Sequence, residues 1–276
     1  MIVARAFPKQ DLAPGDQRSH ELESAGFQVI EVRVREDPDF ERLDSMLRAQ
    51  FGSRGEMEER EVLMQRLEWR LEEQRMGRHM SYRMLGIEKD GVLIAARDHT
   101  VIVRREPAPR VWVHLSHVFV APECRRSGLA RWMRAFPVGD AREVCREIGI
   151  GSPAGITLVA EMEPVISGSL LAYAAAGFRR VDPARVSYYQ PDFRSYREIA
   201  AAGGACPLPL WLMIRQVGRE AESILPGGEL RGMLAALYAM YAQSFRARDM
   251  TQIRAEIEKI AEVEDVPLQD VSAAVN

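Results

Sequence analysis

Cysteine is scarce in this sequence. Cys124, Cys145 and Cys206 are odd in number and have no paired spacing, so neither a disulfide framework nor a metal site is expected. Long apolar runs are missing as well. Nothing approaches the roughly 20 uninterrupted apolar residues of a membrane span, and Met1 to Lys9 has no apolar centre of the secretory-signal kind. No membrane association is expected, and the cytoplasm is the expected location. There is also little excess of either charge: the formal net charge of −3 speaks against general nucleic-acid binding. What remains is a globular composition, 47% hydrophobic and 28% charged over 276 residues. That is enough for one large domain or a domain with an appendage.

Residues 1–26 are polar and turn-rich and read as an N-terminal arm. Phe27 to Val34 alternates like a half-buried strand. Asp37-Pro38 supplies a helix start, and Phe40, Leu43, Met46 and Leu47 recur at helical spacing up to Phe51. A second helix is expected over Glu56 to Met76, its dense Glu and Arg forming a solvated face. Tyr82 to Glu88 and Val92 to Val103 flank Asp90-Gly91 and predict a hairpin; Val111 to Val120 continues the strand signals. Helices are expected over Leu129 to Phe136 and Ala141 to Ile148, separated at Pro137 and Gly139. Ile156 to Met162 reads as a strand and Ser167 to Ala176 as a short helix closed by Gly177. Phe178 to Val181, Val186 to Tyr189 and Leu208 to Val217 are further strands. The order implies an α/β fold with a mixed, mostly antiparallel sheet flanked by helices.

Beyond Gly218 the pattern turns helical. Leu230, Met233, Leu234, Leu237, Tyr238, Tyr241 and Phe245 form one stripe, and Ile253, Ile257 and Ile260 a second after Asp249. Residues 218–276 thus read as a C-terminal helical extension, either packed on the sheet or offering a face for a homodimer.

The stretch Val118 to Ala130 joins a buried strand, a turn marked by Pro122, and a helix start. The first N–H groups of a helix lack partners and face the positive end of its dipole, which favours anions. Gly128 lets a phosphate approach the main chain, and Arg125 and Arg126 supply cations.

This stretch resembles motif A of the GNAT superfamily of acyl-CoA-dependent N-acyltransferases, with Arg125-Arg126-Ser127-Gly128-Leu129-Ala130 filling its Arg/Gln-x-x-Gly-x-Gly/Ala signature. Tyr173-Ala174-Ala175-Ala176-Gly177-Phe178 resembles motif B, and the strand Ile156 to Met162 lies between them. The resemblance covers residues 27–217. It implies a sheet that splays beside motif A, where the donor's pantetheine arm would bond to main-chain groups of Val118, Phe119 and Val120. The pyrophosphate would rest on the N–H groups of Arg126, Ser127, Gly128, Leu129 and Ala130, with Arg125 and Arg126 near the phosphates. Acetyl-CoA or another acyl-CoA is the implied donor substrate, and a small-molecule or protein amine the implied acceptor.

In such a reaction a neutral amine attacks a thioester directly, so a base takes the amine proton and an acid serves the leaving thiolate. Tyr173 stands where the family often carries that acid. For the base, His114 and His117 lie on the motif A strand, on opposite faces unless a bulge intervenes. Glu161 and Glu163 are the carboxylate alternatives and share a face. Where many relatives carry an Asn, about seven residues before the motif B Tyr, this chain has Ile166. The small, apolar loop over residues 163–169 raises the expectation of room for a longer acyl chain. An acyl-carrier-protein-dependent acyltransferase and a non-catalytic acyl-CoA-binding protein are the other readings of the same features.

Overall fold

The computed structural model describes residues 11–13, 26–52, 55–151, 155–259 and 264–271. The expected signal-free start at Met1 to Lys9, most of the N-terminal arm, and Ile260 lie outside the described residues. In chain order the elements are β1 (Gln28–Val32), α1 (Phe40–Phe51), α2 (Arg60–Leu67), β2 (Gln74–Arg75), β3 (Arg78–Lys89), β4 (Val92–Arg104) and β5 (Arg110–Val120). They continue as α3 (Leu129–Glu147), β6 (Ile156–Met162), α4 (Gly168–Ala175), β7 (Arg179–Val181), β8 (Tyr188–Gln190) and α5 (Tyr196–Ala201). The last are β9 (Leu208–Gln216), β10 (Ile224–Leu225), α6 (Gly227–Tyr241), α7 (Thr251–Lys259) and β11 (Val266–Gln269).

The strands form a mixed, mostly antiparallel sheet in the order β1-β3-β4-β5-β6-β9-β7-β11-β10, with β2 on β3 and β8 on β9. Among the described residues, β5 and β6 are the parallel pair. Strand alternation separates two cores. Val101, Val103, Val111, Val113 and Leu115 pack with Leu158, Ala160 and the α3 and α4 side chains on one face. Ile102, Trp112 and Val159 meet α6 on the other, where α1 and α2 cover Tyr82, Met84 and Ala96. The β3–β4 hairpin turns at Asp90 (φ 51°) and Gly91 (φ 79°), two successive left-handed residues that match the twist of the paired strands.

Several local expectations change. The helix expected over 56–76 is confined to Arg60–Leu67, because Gln74 and Arg75 pair back onto His79 and Arg78 across a turn at Met76 (φ 50°) and Gly77 (φ 74°). Pairing with the sheet outweighs helix propensity there. Its charged face is not wholly solvated either: Arg66 and Glu58 are buried as an ion pair at 2.6 Å. At α1 the N-cap position is held by Asp39, while Asp37 accepts the Asp39 N–H at 3.0 Å.

The two helices expected around Pro137 are one continuous helix, α3. Proline has no N–H for the carbonyl four residues back, and this leaves Met133 without its helical donor. The buried Arg97 supplies one instead, its Nη1 donating to the Met133 carbonyl. A helix unrecognised in the sequence, α5, starts at a capping box in which Ser195 and Glu198 serve each other's main chain.

The C-terminal stripe is consumed within the chain. Leu230, Met233, Leu234, Leu237 and Tyr241 are buried in the core with Trp112 and Ile102. Gly232 permits the approach, since a Cβ there would lie 3.2 Å from the Trp112 ring. β11 pairs with β7 and extends the sheet. The apolar face that suggested a homodimer is therefore already covered.

Candidate acyl-donor and acceptor site

The site forms where β5 and β6 part. They pair from Val111↔Ile156 to Leu115↔Ala160 and no further. Beyond that point β5 follows β4, with Val118↔Arg97, Phe119↔Ala96 and Val120↔Ala95, while Glu161 and Met162 follow β9. The cause is a β-bulge: between the pairs Leu115↔His99 and Val118↔Arg97, Ser116 and His117 together oppose Asp98. A bulge bends and twists its strand and ends regular pairing on the far edge. Ala121 donates to Ile94 at 2.9 Å, so by antiparallel alternation Phe119 faces β4, whereas the N–H and C=O groups of Val118 and Val120 face the gap. The Val120 carbonyl accepts from Arg125 Nε at 3.3 Å.

The gap leads to the start of α3. After a 3-10 turn at Pro122–Cys124, Arg126 (φ 65°) and Gly128 (φ 95°) are both left-handed. Ser127 Oγ donates to the Cys124 carbonyl at 2.6 Å and closes this loop. Arg131 and Trp132 donate to the Gly128 carbonyl at 2.9 and 3.4 Å, so the N–H groups just before them stand outside the helical ladder. Arg125, Arg126, Ser127 and Ala130 are exposed, while the Leu129 side chain is buried; Leu129 offers its main chain alone. A diphosphate and an extended amide chain fit these groups: unfilled helical donors, two exposed guanidinia, and the β5 edge at Val118 and Val120, where Arg125 also reaches the Val120 carbonyl.

The bulge also settles the histidines. Because it adds a residue to β5, His114 and His117 come to the same face of the sheet. Their environments differ. His117 Nδ1 donates to Asp98 at 2.9 Å and Nε2 donates to the Glu56 carbonyl at 2.8 Å. Burial opposes its charge, but Asp98 outweighs that and raises the imidazole to about 9. Asp98, also bonded by Tyr82 at 2.9 Å, is held at about 2 despite its burial. His117 is thus an imidazolium with both nitrogens engaged, which removes it from the candidate bases.

His114 belongs to a different cluster. Its Nε2 is 3.3 Å from Glu161 Oε2 and 3.4 Å from the Tyr241 hydroxyl; its Nδ1 is 3.2 Å from Ser116 Oγ. Glu161 also accepts from Tyr241 at 2.9 Å, from Gln190 at 2.8 Å and from Tyr188. Burial raises the Glu161 carboxyl, but His114, Tyr188 and Tyr241 overcome this and keep it below the ordinary carboxylate range. Ser116 is half-buried and stands at the fork, whereas His114 is 2% exposed. Glu163 lies past the end of β6, exposed and outside this network.

Tyr173 is on the opposite face of the sheet. Its ring meets Phe178 edge-on at 4.8 Å in the core shared by α3 and α4. Gly177 (φ 81°) ends α4, with the Phe178 N–H bonded to the Tyr173 carbonyl at 3.1 Å, so the turn after the helix fixes this tyrosine. The His114–Glu161 cluster and Tyr173 therefore lie on the two opposite faces of the sheet. Tyr241, Tyr188, Gln190, Asp98 and Ser116 complete these clusters without having been singled out in the sequence. For Ser116 a signal existed, its i+2 spacing from His114 on a strand. The others come from distant elements.

No protein-family profile matches this sequence, and no curated protein matches it. Among solved structures, the chain is similar to an acetyltransferase of the GNAT family from Streptococcus pneumoniae, at 12% identity and TM-score 0.39 over 69% of this chain and 99% of that one. It is similar to the ribosomal-protein-S18-alanine N-acetyltransferase of Escherichia coli, at 12% identity and TM-score 0.38 over 69% and 94%. It is also similar to Naa50 of Arabidopsis thaliana in complex with the bisubstrate analogue CoA-Ac-MVNAL, at 10% identity and TM-score 0.37 over 69% and 98%. Likenesses this distant carry no weight for activity or substrate. The strand order, the parted β5–β6 pair and the Arg125-to-Ala130 turn into α3 give the chain a GNAT-like fold.

Proposed function

We propose that this protein is an N-acyltransferase that moves an acyl group, most simply acetyl, from an acyl-CoA to a primary amine. The observation that carries this reading is the fork between β5 and β6 opening beside the uncapped start of α3. The main-chain edges of Val118 and Val120 receive the donor's amide chain, and the N–H groups of residues 126–130 with Arg125 and Arg126 receive its diphosphate. The thioester then lies at the fork, between the two clusters.

His114 is the base in this reading. Glu161 holds it through Nε2, which leaves Nδ1 to act outward through Ser116, the group nearer the fork. As the amine nitrogen bonds to the thioester carbon, its proton passes through Ser116 to His114. The C–S bond breaks with its electron pair on sulfur. Tyr173 donates a proton to that sulfur, and solvent restores the protonation of Tyr173 and His114. Glu161 stays ionised throughout, as its lowered pKa requires.

Calorimetry with CoA tests the donor site. The wild-type chain should bind it, and Arg126→Glu or Gly128→Val should weaken binding at least about tenfold, the second because a β-branched residue is strained at φ 95°. Thiol release from acetyl-CoA with a panel of amines tests the reaction. A wild-type chain that binds no CoA sinks the reading.

A further inference from the structure

Arg97 is a buried cation with no ion-pair partner among the described residues. It is 0% exposed, and its Nε and Nη2 have no hydrogen-bond partner. Leaving two donors of a buried guanidinium unpaired is costly, so such a group calls for an explanation. Its third nitrogen, Nη1, is fixed on the Met133 carbonyl that Pro137 leaves open. This anchors the side chain on the α3 face, beside Val118, its cross-strand partner at the edge of the gap.

Charged or titratable groups that act on Arg97 include Asp98 and His99 from its own strand, Arg134 and Asp140 from α3, and Tyr173 from α4. Neither carboxylate bonds to it: Asp98 accepts from His117 and Tyr82, and Asp140 Oδ1 accepts from Arg83 at 2.8 Å, with His99 Nε2 3.0 Å from Asp140 Oδ2. Burial lowers the hold of Arg97 on its proton, although Tyr173 and the two carboxylates oppose this. Tyr173 is likewise held by its ring and makes no hydrogen bond through its hydroxyl among the described residues. Arg97, anchored on α3, and Tyr173, on α4, therefore carry unused donors on the same side of the sheet.

We infer that Arg97 and Tyr173 together receive the leaving sulfur of the acyl donor. The proposal rests on the acyl-CoA reading and deepens it. A thiolate is the acceptor that would fill these donors at the moment negative charge develops, and a charge-assisted contact in a dry site acts most strongly there. When the C–S bond breaks, the electron pair goes to sulfur. Arg97 stabilises it as thiolate and Tyr173 supplies its proton, while the amine proton has gone to His114. Arg97 itself transfers no proton.

The test needs no knowledge of the amine. CoA with its free thiol is bound to the full chain, and the thiolate is titrated by its ultraviolet absorbance; desulfo-CoA binding reports separately on the rest of the donor site. The expected result is a thiol pKa for bound CoA at least about one unit below that of free CoA, a tenfold gain in thiolate at neutral pH. Arg97→Gln should remove this shift while binding desulfo-CoA as the wild type does, and Arg97→Lys, which keeps the charge, should restore part of it. An unshifted thiol in the wild-type complex overturns the proposal without recourse to any variant. So does a shift that survives in Arg97→Gln. If neither CoA nor desulfo-CoA binds, the acyl-CoA reading itself has failed, and this proposal with it.

Discussion

Asp98 accepts both the main-chain N–H and the imidazole Nδ1–H of His117, each at 2.9 Å. The bulge frees that N–H from the ladder, and the carboxylate opposite it takes the orphan. The same pair that engages the His117 imidazole therefore stabilises the bend that parts β5 from β6.

Stability should follow the titration of this pair. His117 is raised from 6.5 to about 9, so its share is fully present below pH 6.5 and is lost as pH rises through about 9. Asp98 is depressed from 3.8 to about 2, so its share is present above pH 3.8 and is lost as pH falls through about 2. The share of this pair, read as the difference in urea unfolding between the wild type and a variant lacking it, should be constant between pH 3.8 and 6.5. The alkaline decline attributable to His117 should be about 3 kcal/mol, on the order set by its pKa shift. His117→Gln should flatten that limb; an unchanged limb in this variant would contradict the assignment.

Pro137 and Arg97 should be energetically coupled through Met133. Arg97→Met leaves the Met133 carbonyl without a donor, at a cost of about 1–3 kcal/mol for an unsatisfied buried acceptor. In a Pro137→Ala background the helix supplies its own N–H, so the same replacement should cost less. A double-mutant cycle by denaturant unfolding measures the difference, and strict additivity would rule out the compensation.

Ser116→Ala and His114→Gln should lower kcat about 10²–10⁴-fold, the usual range for losing a positioned acid or base. The CoA affinity of both variants should stay near that of the wild type, because neither residue belongs to the donor cradle. Glu161→Gln should lower kcat too, with an altered pH profile, because it positions His114. Wild-type turnover in Ser116→Ala would return the base role to another group.

Gly232→Leu should destabilise by about 1–3 kcal/mol, typical of overpacking, because even a Cβ at this position comes within 3.2 Å of the Trp112 ring. Thermal unfolding reads this directly. A smaller loss would mean that α6 can shift on the sheet.

Much of the proposed donor side was legible locally. Arg125 to Ala130 carried its chemistry in consecutive residues, and Asp90-Gly91 and Gly177 announced the turns at which they stand. Strand identities followed from alternation, which depends only on which face of each strand is buried. The capping box at Ser195 and Glu198 was also readable, but three flanking residues gave it no apolar stripe to mark a helix.

The His114–Glu161 cluster was not readable in full, because Tyr241 comes from α6, 80 residues beyond Glu161, and Tyr188 from 27 residues beyond. No local pattern records such a meeting. The same holds for Arg66, whose place in a charged run suggested solvent until Glu58 and the rings of Trp69, Tyr82 and Tyr241 enclosed it.

By itself, then, the sequence indicated most strands of the sheet and the strand-to-helix turn at Gly128, since both arise from neighbours along the chain, but not β2, α5, β10, β11 or the continuity of α3. Tertiary structure decided that His117 is tied to Asp98 and the Glu56 carbonyl while His114 joins Glu161. A single bulge opposite Asp98 changes the facing of every later residue on β5, and only the partner strand reveals that shift in register.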